Sequence, residues 1–252
     1  MSAPLQWLFG FHAVASALRN DPEHVERVLV EAGRQDRRMR EIEPLLAAAG
    51  CQVEKLSARE LSRRVGSGKH QGIACAYRAA LAQDESTLDQ LLAKWPESGE
   101  PPLLLVLDGV TDPHNLGACL RTADAVGVMA VVAPRDRAVG LTPTVRKVAS
   151  GAAERLPFIQ VTNLARTLSN LKQRGLWVVG TASEGEQSLY QCQLGTEPLA
   201  LVMGAEGTGL RRLTREHCDQ LIYIPMFGQV ESLNVSVATA VCLYEFRRQR
   251  LA

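Results

Sequence analysis

The chain has 252 residues, enough for one large domain or two ordinary ones with real cores. Hydrophobic residues make up 46% and charged residues 22%, a globular balance that excludes intrinsic disorder. The net charge is only +1, so the sum does not demand a protein that coats nucleic acid through bulk charge.

The longest uncharged apolar run, residues 125–133, is too short to cross a bilayer. The start, MSAPLQWLFGFH, lacks the basic opening and apolar core of a signal peptide. The six cysteines form no CxxC, so neither a disulfide framework nor a zinc site is expected, and a cytoplasmic location follows.

In chain order, FHAVASALRN reads as a helix, VERVLVEA (25–32) as a strand, and DRRMREIEPLLAAAG as a helix ending at Gly50. CQVEKL is a plausible strand, SARELSRRVG a helix capped by Ser57, and QGIACAY (71–77) another strand. From Leu81 the composition turns acidic and then proline-rich. Residues 79–102 read as an interdomain linker with a short helix carrying Leu88, Leu91 and Leu92, capped by Ser86 or Thr87 and ended by Pro96. Residues 1–78 and 103–252 are then separate domains.

Beyond the linker, LLLVLDGV, MAVVAP, PFIQVT, LWVVGTAS, PLALVMG and QLIYIPM are apolar, β-branched runs with helical segments between them. Continuous apolar strands separated by helices predict an α/β fold with a parallel sheet covered on both faces. Ligands then bind beyond the carboxyl ends of the strands.

Three segments stand out there. In LDGVTDPHNLGACLRTADAVG (107–127), a strand ends at Asp108 and a helix begins near Asn115, capped by Asn115 or Asp112, with Arg121 on a different face. In LVMGAEGTGL (201–210), Gly204, Gly207 and Gly209 surround Glu206. Glycines there permit close approach of backbone to a ligand, but the spacing is neither GxGxxG nor a phosphate-binding P-loop. In IPMFGQVESLNVSVATAVCLYEF (224–246), Ser232 opens a helix whose Leu233, Val237, Val241 and Tyr244 follow a core spacing, with Asn234 and Ser236 in its first turns. Taken singly, a capped helix, a glycine-rich turn and a second capped helix account for each.

Together, the order and spacing of DGVTDPHNLGACLRTADAVG, VMGAEGTGL and IPMFGQVESLNVSVA resemble the three motifs of the SpoU/TrmH branch of the SPOUT methyltransferases, and the likeness spans residues 103–246. LFGFHAVASAL and GSGKHQGIA resemble the small L30e-like RNA-binding domain of the rRNA-directed members. The resemblance implies S-adenosylmethionine as methyl donor and transfer to a ribose 2′-hydroxyl of RNA. Among its members, those that modify a guanosine in the peptidyl-transferase region of 23S rRNA are nearest; the tRNA-directed members are the alternative. It also implies a deep trefoil knot in the C-terminal domain and a homodimer formed through it, with no metal, membrane or DNA involved.

By the same resemblance, Asn115, Arg121, Glu206, Ser232 and Asn234 form the catalytic set. The cofactor lies against Gly204, Ile224 and Leu233, with Thr181 and Ala182 as neighbours. A guanidinium is a poor base, since its pKa exceeds ~12, so a phosphate contact that stabilises developing alkoxide charge suits Arg121 better. Glu206 either takes the proton or orients Arg121 or Asn115. His114 and His217 read as isolated surface or packing groups.

In the N-terminal domain, Arg63, Arg64, Lys69 and His70 near the loop VGSGKHQG are candidate RNA contacts, as are Arg34, Arg37, Arg38 and Arg40. Aromatic residues are only 5% of the chain, which favours recognition by phosphate contacts and RNA shape over base stacking. Two rivals stay open. A nicotinamide oxidoreductase is disfavoured by the missing GxGxxG, and a non-catalytic RNA-binding assembly protein by the retained polar set.

Overall fold

A computed structural model describes residues 5–20, 22–78 and 83–251. The chain divides into two compact units, residues 1–81 and 82–252.

The first unit comprises β1 (Leu5–Phe9), α1 (Phe11–Asn20), β2 (Val25–Glu31), α2 (Arg37–Ala49), β3 (Gln52–Leu56), α3 (Ala58–Val65) and β4 (Ile73–Arg78). Its sheet runs β1-β4-β2-β3; β4 is antiparallel to β1 and β2, and β3 is parallel to β2. Side chains of successive strand residues point to opposite faces, and both faces are covered. Val28, Val30, Ile73 and Cys75 meet α1 and α2, while Leu29 and Ala74 meet Leu61 of α3. Ser57 caps α3 in a reciprocal box with Glu60, and Gly50 ends α2 in the left-handed conformation that favours glycine.

The second unit begins with α4 (Glu85–Ser98), not with a linker. Asp84, rather than Ser86 or Thr87, caps α4 by accepting from both of their backbone N–H groups, and the helix continues through Pro96 to Gly99. Leu88 and Leu92 are buried in the unit's core. Gln83 pairs with Ile159 at the sheet edge, and Glu85 accepts from Thr162 and Arg166. The first residues of the expected linker, 79–82, lie outside the described residues.

There follow β5 (Leu103–Asp108), α5 (Pro113–Val126), β6 (Ala130–Pro134), α6 (Pro143–Ala149), α7 (Ala152–Arg155), β7 (Phe158–Val161), α8 (Leu164–Gln173), β8 (Trp177–Thr181), β9 (Gln187–Ser188), β10 (Leu199–Gly204), α9 (Arg212–Glu216), β11 (Gln220–Tyr223) and α10 (Val235–Leu251). The sheet order is β7-β6-β5-β10-β8-β11-β9, with every pairing parallel. Leu103, Leu105 and Leu107 of β5 face a core shared with α5, α6, α7 and α10, and Leu104 and Val106 face α4 and α8. The inner strands β5, β6 and β10 are apolar along nearly their whole length because neither face meets water.

Candidate active site

The candidate residues converge at the carboxyl edge of the second sheet. Asn115 sits in the first turn of α5, which Asp112 caps by accepting from the His114 backbone N–H at 2.8 Å. Glu206 lies in the turn after β10, and Asn234 precedes α10. Although 91 and 119 residues from Asn115, both reach it. Asn115 Nδ2 donates to Glu206 Oε2 at 3.2 Å, and Asn234 Nδ2 donates to Asn115 Oδ1 at 3.0 Å and to Glu206 Oε2 at 3.4 Å. Asn234 Oδ1 accepts from the backbone N–H and hydroxyl of Ser236, so Asn234, not Ser232, caps α10. Every donor and acceptor in this network has one consistent assignment. Glu206 is exposed, and its second oxygen, Oε1, has no protein partner among the described residues.

The other two candidates stand apart from that network. Arg121 is exposed on α5 with no ion pair or hydrogen bond from its side chain among the described residues, so Glu206 orients Asn115 rather than Arg121. Ser232 is exposed in the loop before α10. The spacing misassigned part of the core face of α10: Val237 and Tyr244 are 49% and 56% exposed, whereas Val241 packs against the core and Val235, Thr239, Cys242, Leu243, Phe246 and Gln249 are buried.

The residues expected around a cofactor occupy neighbouring strand ends. Gly204 closes β10, Thr181 closes β8 with Ala182 just beyond it, and Ile224 follows β11. Gly204 is required by the chain itself: a Cβ there would lie 2.3 Å from the carbonyl carbon of Gly209 and 2.4 Å from the Leu210 nitrogen. The turn folds back through mutual Ala205–Gly209 backbone bonds of 3.1 and 2.8 Å, with Gly207 and Gly209 at positive φ. Ile224 and Leu233 are half-buried, and residues 225–233 between them make no backbone–backbone hydrogen bond among the described residues. Half-buried apolar side chains beside unpaired backbone groups suit an adenosine, whose faces are apolar and whose edge hydrogen-bonds. Thr181 Oγ1 is already engaged, donating to Val202 O at 3.3 Å.

Sequence reasoning missed Asp108 and Arg211. The Asp108 carboxylate is fully buried at the end of β5; Oδ2 accepts from the Arg211 backbone N–H at 2.8 Å, and Oδ1 faces Arg211 Nε at 3.4 Å. Both were visible as residue types, but nothing in a single sequence pairs positions 103 residues apart.

The cysteines offer no nucleophile. All six are free, and burial pushes the Cys75, Cys218 and Cys242 thiols up to about 12 and Cys119 up to about 11. His114 is exposed, and His217 Nδ1 pairs with Leu213 O in its own helix end. Among the described residues no group of three or more His, Cys, Asp or Glu could hold a metal ion, and no helix is long and apolar enough to cross a membrane.

Of the N-terminal candidates, Arg63 and Lys69 are exposed and free of ion pairs among the described residues. His70, expected at the RNA, is instead buried: its Nδ1 accepts from the Gly72 backbone N–H at 3.0 Å, and Nε2 pairs with Ser62 Oγ at 2.8 Å. It fastens the loop from inside. Arg64 faces Glu54 at 3.5 Å and Arg37 pairs with Glu41. Arg34 stacks 5.0 Å over Phe11 while bonding Gln71 O and Asp36, whereas Arg38 and Arg40 are exposed.

Residues 102–244 match the model of the SpoU rRNA methylase family, more than half the chain. The chain belongs to that family. Residues 7–82 match the model for RNA 2′-O ribose methyltransferase substrate binding. The 23S rRNA (guanosine-2′-O-)-methyltransferase RlmB of Yersinia pestis is 55% identical over 96% of this SpoU-family chain and 97% of its own. The enzyme of the same name from Haemophilus influenzae is 54% identical over 97% and 98%. A putative RNA methyltransferase of the TrmH family from Porphyromonas gingivalis superposes with a TM-score of 0.71 at 28% identity, covering 97% of this chain and 90% of that one. The SpoU methyltransferase AviRb of Streptomyces viridochromogenes, solved with AdoMet, shares the fold at a TM-score of 0.74 and 24% identity, with the same coverage.

Proposed function

We propose that this protein transfers a methyl group from S-adenosylmethionine to the ribose 2′-oxygen of a guanosine in the peptidyl-transferase region of 23S rRNA. The observation that carries this is the Asn115–Glu206–Asn234 network, assembled from three separate motifs at the carboxyl edge of a SpoU-family sheet. Near-full-length relatives named as guanosine-specific 23S rRNA enzymes support the substrate. The bound cofactor supplies an electrophilic methyl carbon on a sulfonium. Gly204, Thr181, Ala182, Ile224 and Leu233 hold its adenosine part.

The acceptor must be placed in line and relieved of a poorly acidic proton. Asn115, fixed on both sides by Glu206 and Asn234, has one amide N–H left to orient the ribose. Arg121, unpaired among the described residues, binds the adjacent phosphate and stabilises the charge growing on the 2′-oxygen. The open Oε1 of Glu206 receives the proton directly or through water, and Ser232 closes the acceptor side from its loop. Arg63 and Lys69 in the substrate-binding unit contact the RNA backbone.

Val237 and Tyr244 on α10, with Phe227 96% exposed and Val230 63% exposed before it, form the apolar surface through which a homodimer assembles. The C-terminal segment is knotted, and the enzyme is cytoplasmic. Titrating the protein with S-adenosylmethionine and NAD side by side, then supplying labelled donor with 23S rRNA or tRNA, tests the reading. Binding of the first cofactor alone and label on 23S rRNA are expected; NAD binding, or label on tRNA only, would overturn it.

A further inference from the structure

In the second unit almost every arginine has a protein partner. Arg146, Arg155, Arg166 and Arg174 lie within 4 Å of carboxylates, as do those of α9, and Arg250 donates to backbone carbonyls. The arginines with no side-chain partner among the described residues are Arg121, Arg135 and Arg137. Arg121 is placed by the mechanism above. The other two are exposed on the turn after β6, the strand beside β5, and so stand at the carboxyl edge that holds Asn115.

That turn is held with unusual care. Arg137 has φ +57°, a left-handed conformation that a non-glycine residue adopts only when its surroundings enforce it. The Arg211 guanidinium supplies one constraint, donating from Nη2 to the Arg137 carbonyl at 3.4 Å while its Nε faces the buried Asp108 carboxylate. The same guanidinium packs over Gly109, where a Cβ would come within 3.1 Å of it. Val139 supplies another constraint, its N–H donating to Val110 O at 3.0 Å. Asp108 and Arg211 therefore bind together the three loops that lead to Asn115, to Glu206 and to this turn. A strained, pinned turn that presents two unpaired cations beside a catalytic network has the features of a preorganised anion contact.

We propose that the turn after β6 is the catalytic unit's own grip on the RNA backbone. Arg137 and Arg135 contact phosphates flanking the methylated ribose, and Asp108, acting through Arg211, positions the turn. This rests on the RNA-methyltransferase reading above and adds a binding surface to it.

The test uses the full chain and an unmodified 23S rRNA transcript, measuring RNA affinity across a salt series. Arg137→Gly suits the left-handed backbone, so it keeps the fold while removing the charge. Its RNA affinity should fall at least ~5-fold near physiological salt, and the slope of log affinity against log salt should lessen by about one, as for one lost phosphate contact. Arg137→Lys should recover part of the affinity. Arg135→Gln, on the same turn, should give a second decrease of the same kind. Affinity for S-adenosylmethionine should stay at the wild-type value in all three. Wild-type affinity and slope in Arg137→Gly and Arg135→Gln would overturn the proposal. So would a parallel loss of cofactor affinity, which would make the turn part of the cofactor pocket. A wild-type protein that binds the transcript but transfers no methyl would instead withdraw the reading of the reaction, leaving the arginine comparison to be judged on binding alone.

Discussion

Arg121 and Asn115 are both on α5, yet one is exposed and unpaired and the other is buried and fully oriented. That division suits an arginine that waits for a phosphate and an asparagine that is preset. Arg121→Ala should lower single-turnover methylation by at least ~10²-fold, the scale of one lost charge-stabilising group, with cofactor affinity unchanged. Arg121→Lys should rescue little, because it lacks the planar fork. Near-normal rates in both variants would reduce the residue to a solvated helix arginine. Gly204 makes a different kind of demand. In Gly204→Ala the new Cβ collides with backbone at Gly209 and Leu210, which cannot rotate away. Overpacking of this kind costs about 1–3 kcal/mol, so denaturant unfolding should show that loss together with weakened cofactor binding. Unchanged stability and binding would show that the turn can open without consequence.

Among the elements, most strands and helices were legible because their signals are local: β5, β6 and β10 are unbroken apolar runs, and Gly50 and Ser57 carry their own capping chemistry. Misreadings occurred where local signals compete. The run Asp84-Glu85-Ser86-Thr87 offers several N-caps, and the first won by reaching two N–H groups at once. Helix α10 is apolar around most of its first half, so two stripes fit a helical spacing and the sequence alone could not choose the buried one. Of the expected stripe, Val237 and Tyr244 are exposed while Val241 packs against the core. β1, an edge strand paired only with the distant β4, went unread for want of a local partner. The candidate catalytic set was legible only as three motifs; that Glu206 joins Asn115 and Asn234 rather than Arg121 needed the fold. Helix α4 is part of the second unit's core. A fragment of residues 103–252 removes Leu88 and Leu92 and uncovers part of the sheet face they share with α8. Losing two buried leucines costs about 4–10 kcal/mol if each resembles a Leu→Ala core change. Residues 83–252 should therefore fold cooperatively in a thermal melt, and residues 103–252 should melt far lower or aggregate. Equal melting of the two would return α4 to the role of a linker.

At the scale of the whole molecule, labour is divided between two units with separate cores. The network and the strand ends proposed to hold the cofactor lie entirely in the second, and the first matches a substrate-binding family. Residues 83–252 should thus bind S-adenosylmethionine with full-length affinity yet lose most affinity for 23S rRNA. Full rRNA methylation by that fragment would show that the first unit is dispensable for targeting. The most direct measurement supplies the intact protein with labelled S-adenosylmethionine and 23S rRNA lacking the modification, then counts and maps the methyl groups. One methyl per rRNA is expected, on the ribose 2′-oxygen of a single guanosine in the peptidyl-transferase region. A label on a base, on a different nucleotide, or absent altogether would contradict the account.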